Sequence, residues 1–203
     1  MIRYNKRIRS ILNFVEQYGF ITSKICGLLF YKDCKYSLDM GRRVLNKLCA
    51  NKDLVANQMK YGKELVYQFK KNDVSDHKYY LLNLYAEINK LVDNIEYFKL
   101  EEIWGDKRSD GHIIFSNMVN NEIITKAFLI EFDKFHKTPK NKYNELYEKC
   151  FVQKWYKDNF NQDDYFPDII VINYNGVANL DEGEYSVIGL DYKFNGLLQK
   201  VIL

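Results

Sequence analysis

In the stretch TKAFLIEFDKFHKT, Thr125–Thr138, the apolar run Ala127-Phe128-Leu129-Ile130 passes directly into Glu131-Phe132-Asp133-Lys134. An unbroken apolar run closed by polar residues predicts a buried strand over Ala127–Asp133. Successive strand side chains alternate faces, so Glu131 and Asp133 point to one side and Phe132 to the other. Downstream, Thr138 is placed to cap a long helix, with Pro139 at its first position, where a missing N–H costs nothing. Tyr143, Leu146, Tyr147, Cys150 and Trp155 form the apolar stripe of that helix, and Asp168–Asn173 and Glu184–Leu190 read as further strands. Upstream, Ile95–Trp104 and Gly111–Phe115 alternate like strands. Before them, His77–Val92 is an apolar helix with Tyr80, Leu81, Leu84, Tyr85, Ile88 and Leu91 on one face. This order predicts an open or three-layer α/β domain with a mixed sheet over residues 73–203.

Residues 1–72 follow another plan. Ile8, Ile11, Leu12 and Val15 have helical spacing within Arg7–Tyr18, and Gly19 ends that helix. Thr22 or Ser23 caps a short second helix, SKICGLLF, and Ser37 caps a third, LDMGRRVLNKLCANK. The third helix places Leu38, Gly41, Val44, Leu45 and Leu48 on an apolar face. Asp39, Arg42, Arg43, Asn46 and Lys47 lie opposite. Strands at Leu54–Met59 and Glu64–Phe69 flank Lys60-Tyr61-Gly62-Lys63, where Gly62 supplies the positive φ of a tight hairpin. Three helices and a hairpin make the winged helix-turn-helix plan, in which the third helix enters the major groove and the wing touches phosphates. Arg and Asn are the side chains that best bond base edges. Ser37, Arg42, Arg43, Asn46 and Lys47, with Lys60 and Lys63 of the wing, are therefore the candidate DNA-binding residues, and double-stranded DNA is the expected partner.

Charge agrees with this division. Residues 1–72 hold 15 Lys+Arg against 5 Asp+Glu, and residues 73–203 hold 15 against 22, within a net charge of +3. A cationic first segment calls for a polyanionic partner. The basic start, MIRYNKRIRS, is followed by no long apolar run, which predicts a cytoplasmic protein with no membrane contact. Cys26, Cys34, Cys49 and Cys150 form no C-x-x-C pair and read as reduced thiols.

The carboxylates of the second segment invite a metal reading. Asp110, in RSDGHIIF, starts the strand before Glu131 and Asp133, and Glu101 or Glu102 could add a fourth acid. Clustered carboxylates at one sheet end suit Mg²⁺, which activates water and stabilises charge on a phosphate. An Asp followed by acid-x-Lys on the next strand is the pattern of the restriction-endonuclease-like (PD-(D/E)XK-like) fold. Here the lysine position holds Asp133, and Lys134 faces the other way, so the candidate catalytic set Asp110, Glu131 and Asp133 reads as degenerate. Lys142 on the following helix could return the missing ammonium. Asp168 with Asp191 and Lys193 matches the same pattern loosely. His77, His112 and His136 read as structural or exposed.

Five places together resemble the replication-relaxation family of plasmids and mobile elements, and a late strand adds to them. They are the winged helix over residues 7–70; His77 opening HKYYLLNLYAEI; the acid-rich strand ending in Trp104; the Asp110 strand; and FLIEFDKFHKT with Lys142-Tyr143 and Tyr147 after it. FPDIIVI around Pro167 matches the family's late hydrophobic strand. The resemblance implies a DNA-binding winged helix and a non-catalytic endonuclease-like domain whose acid-x-acid falls on Glu131 and Asp133. It also implies a role in plasmid replication, mobilisation or their control. The expectation is thus a sequence-specific DNA-binding protein of a plasmid or phage. It would act as a homodimer, with a replication or relaxosome protein as a further partner. A Mg²⁺-dependent DNA nuclease and a plain transcriptional repressor are the alternatives.

Overall fold

The computed structural model describes residues 5–59, 64–134, 136–181 and 183–203. Helix α1 spans Lys6–Tyr18; the Asn5 side chain accepts the Ile8 N–H at 3.0 Å to start it, and Gly19, at φ 82°, ends it. Strand β1 (Ile21–Thr22) leads into α2 (Ser23–Phe30), which Thr22 caps by accepting the Ile25 N–H at 3.2 Å. Helix α3 spans Ser37–Ala50. Ser37 does not cap it, contrary to the sequence expectation. The preceding turn delivers the Tyr36 carbonyl to the Met40 N–H, so Tyr36 holds the cap position without a side-chain bond. The buried face of α3 is Gly41, Leu45 and Leu48, while Leu38, expected inside, is exposed.

Helices α2 and α3 meet backbone to backbone. A Cβ on Gly27 would lie 2.7 Å from the Ser37 carbonyl oxygen, and one on Gly41 2.6 Å from that of Ser23. Strands β2 (Val55–Gln58) and β3 (Leu65–Gln68) pair antiparallel, and β1 adds to β3, giving the order β1-β3-β2. The expected wing turn, with Lys60 and Lys63, lies outside the described residues. Helix α4 (Asp76–Leu91) belongs with these elements: Tyr85 stacks on Phe14, Glu87 pairs with Lys24 at 2.7 Å, and Tyr79 donates to Glu64 at 2.7 Å. The compact units accordingly divide between Lys90 and Leu91, where the sequence reading put the boundary at 72/73.

The second unit is built on a mixed five-stranded sheet. Strands β4 (Asn94–Trp104), β5 (Lys107–Val119) and β6 (Glu122–Asp133) form an antiparallel meander. Helices α5 (Lys142–Glu148) and α6 (Phe151–Phe160) follow; then β7 (Asp168–Asn173) pairs parallel to β6, and β8 (Val187–Leu190) parallel to β7. The order is β4-β5-β6-β7-β8. Tyr143, Leu146, Val152 and Tyr156 of the helices pack on Leu129, Ile169 and Val171 of the sheet. The single long helix expected after Thr138 is two helices, because Cys150 turns to φ 56° between them. Thr138 does not cap α5 either, since its amide and hydroxyl both bond to strand carboxylates. A short π-helical turn, Leu198–Ile202, follows. The chain is thus mixed α and β, with one three-stranded antiparallel sheet and one five-stranded mixed sheet. No helix among the described residues is long and apolar enough to cross a membrane.

Candidate functional site

On α3, burial of Gly41, Leu45 and Leu48 turns Arg42, Arg43, Asn46 and Lys47 outward, and all four are exposed. The 3.6-residue period puts them on one side. Arg42 makes a loose ion pair with Asp39 at 3.7 Å, which engages one nitrogen of a guanidinium with five N–H donors. Asn46 is held by the Tyr67 hydroxyl, which donates to its Oδ1 at 3.0 Å. Ser37 is half-buried at the first turn and lies aside from these four. An open groove of about 530 Å³ runs beside this face, lined among others by Lys24, Leu38, Arg42, Asn46, Leu65 and Tyr67. Of these six, only Arg42 and Asn46 are candidates from the sequence; Lys24, Leu38, Leu65 and Tyr67 are not.

In the second unit Glu131 is buried and Asp133 half-buried, and both reach Thr138 from one side of the sheet as strand alternation requires. Asp110, one residue beyond the Gly111–Ile130 pair, accepts the Phe132 N–H at 2.8 Å. These three acids come together as expected. Glu101 and Glu102 do not join them, since they sit on β4, beyond β5. Glu102 instead accepts from the Tyr97 hydroxyl and Lys99, both at 2.7 Å, and exposed Glu101 pairs with Arg108 at 3.7 Å.

The neighbours of Glu131 decide its chemistry. Lys142 donates to Oε1 at 2.6 Å, the Tyr143 hydroxyl donates to the same oxygen, and Thr138 Oγ1, whose single proton points to the nearer Asp133, lies 3.1 Å from Oε2. Thr138 also donates its amide and hydroxyl to Asp133 Oδ1 at 3.0 and 2.7 Å. Burial pushes the Glu131 carboxyl above its usual range; the Lys142 ammonium opposes that rise and Asp110 adds to it. Burial, with Glu131 alongside, pushes the Tyr143 hydroxyl up as well. Protein donors already take both lone pairs of Glu131 Oε1 and of Asp133 Oδ1, which removes one oxygen of each carboxylate from any Mg²⁺ shell. Among the described residues no group of three or more His, Cys, Asp or Glu is placed to hold a metal ion. The acids therefore do not fit a divalent cation in this arrangement.

The looser pattern at Asp168, Asp191 and Lys193 is not assembled. Asp168 starts β7 and binds the Ser186 amide at 2.8 Å, whereas Asp191 follows the far end of parallel β8 and caps its own turn through the Lys193 and Asn195 amides. His112 is fully buried inside an aromatic box of Tyr97, Trp104, Trp155 and Tyr156. Its Nε2 lies 2.6 Å from the Tyr156 hydroxyl and its Nδ1 3.8 Å from Glu102, and burial pushes its pKa down against the pull of that carboxylate. His136 is exposed and the four cysteines are free. Comparison of the chain with protein-family models, with curated proteins and with solved structures returns no match.

Proposed function

We propose that the chain is a sequence-specific DNA-binding protein whose first unit is a winged helix-turn-helix and whose second is a restriction-endonuclease-like domain with a degenerate site. The observation that carries this is the outward face of α3. It gathers Arg42, Arg43, Asn46 and Lys47 in the open, on a helix braced backbone to backbone against α2. Arg42 and Arg43 suit guanine edges, Asn46 an adenine, and Lys47 a phosphate. One such helix reads few base pairs, so two copies on a two-fold site double the contacts. The resemblance to the replication-relaxation family extends the proposal to a plasmid or phage role in replication, mobilisation or their regulation. A replication or relaxosome protein is then a further partner, and the cytoplasm the place of action. Binding-site selection from random duplexes should yield a consensus, and Arg43→Ala with Asn46→Ala should abolish preference for it while the circular dichroism spectrum stays unchanged. Undiminished preference in that double variant sinks the groove assignment.

A nuclease is the second reading, favoured by Lys142, which brings an ammonium to Glu131 from the helix instead of the strand. The occupied lone pairs of Glu131 and Asp133 weigh against it.

A further inference from the structure

The β5–β6 hairpin outruns its neighbours in the sheet. Strand β4 pairs with β5 only as far as Ser116, and β7 pairs with β6 only from Phe128. The arm between turns at Asn120 and Asn121, both at positive φ. Among the described residues no strand lies along Glu122–Ala127 on the side away from β5. Met118 and Ile123, paired across the arm, are 58% and 70% exposed on one face; Val119 and Ile124 are 43% and 42% exposed on the other. A two-stranded ribbon with apolar side chains on both faces and an open edge is marginal alone and invites another strand.

We infer that a second copy of this chain covers the arm, the two β6 edges pairing antiparallel about a two-fold axis at Ile124. In that register Ile124 meets its own counterpart, and Glu122 opposes Lys126 of the other copy on the same face. Two opposite-charge pairs thus flank an apolar centre. Moving the axis to Ile123 sets Glu122 against Ile124, and moving it to Glu122 sets like charges together; the axis at Ile124 alone pairs Glu122 with Lys126. The Lys126 ammonium also donates to the Val201 and Ile202 carbonyls, which leaves it a third donor. The self-complementary order of acid, isoleucine and lysine at alternate positions fits an identical strand.

This pairing rests on the two-copy part of the function proposed above and not on its DNA part. Sedimentation equilibrium of the full chain without DNA tests it. Wild type should be dimeric, and Glu122→Lys and Ile124→Glu should each associate about tenfold more weakly, or worse, with an unchanged circular dichroism spectrum. Glu122→Lys combined with Lys126→Glu should restore the dimer. A monomeric wild type at tens of micromolar overturns both this inference and the pairing of copies. A dimer that persists in Glu122→Lys and Ile124→Glu overturns the arm alone, and a double swap no better than Glu122→Lys overturns the register.

Discussion

Lys142 and Glu131 form an ion pair whose side chains are only 12% and 5% exposed, so each charge depends on the other. Removing one partner of such a pair leaves a buried charge, which costs about 3–5 kcal/mol. Lys142→Met should therefore lower the unfolding free energy by roughly that amount in urea titrations at neutral pH. Glu131 has one escape, which is to take up a proton, and burial already pushes its pKa upward. A carboxyl whose folded pKa lies above its unfolded value binds more protons when folded. Its contribution is then complete below the unfolded value, near pH 4.3, and lost as pH rises through the folded one. The deficit of Lys142→Met should accordingly shrink as pH falls toward about 4. Glu131→Gln added to Lys142→Met removes both charges and keeps an acceptor for Tyr143 and Thr138, so the double variant should return to within about 1 kcal/mol of wild type. A double variant as unstable as Lys142→Met would show that packing, not charge, sets the cost.

At the level of elements, the α2–α3 contact leaves no room for a Cβ at Gly27 or Gly41. Alanine has the higher helix propensity by about 1 kcal/mol, so Gly41→Ala would stabilise an isolated helix. Here the added methyl would stand 2.6 Å from the Ser23 carbonyl oxygen, part of the backbone, which has little room to give. Overpacking of this kind costs about 1–3 kcal/mol. Gly41→Ala should lower the melting temperature and weaken the proposed DNA binding together, by shifting α3 against α2; a stabilised variant would refute the close-packing account. Periodicity placed α1 and α3, each of which has one buried face, and unbroken apolar runs placed β6 and β7, which are buried on both. Periodicity also placed Leu38 inside, although the buried residues of α3 begin only one turn later, at Gly41. The acid trio was legible for a similar reason: alternation sets Glu131 with Asp133, and hairpin pairing brings Asp110 beside them. Their donors were only partly legible. Thr138 reads as a cap from its place before Pro139, and only three dimensions show its hydroxyl bridging Glu131 and Asp133. The break at Cys150 has no glycine or proline to announce it.

For the whole molecule, charge distribution makes the distinguishing statement, since cations concentrate in residues 1–72 and acids dominate after them. Binding to duplex DNA releases counterions, and log K falls against log[salt] with a slope of about −0.9 per phosphate neutralised. If the first unit supplies the phosphate contacts, substitutions in the acidic unit should leave that slope alone. Lys154 on α6 is exposed, and Lys154→Ala should change neither slope nor affinity. Lys47→Ala should reduce the slope by about 0.9 and weaken every sequence alike. Arg43→Ala should behave differently, costing about 1–3 kcal/mol on the selected site and relaxing preference at one base position. Fluorescence anisotropy on selected and scrambled duplexes over a salt series separates the three outcomes. A slope that falls with Lys154→Ala as much as with Lys47→Ala would move the interface off α3, because a face that positions the protein on phosphates must own the counterions it displaces.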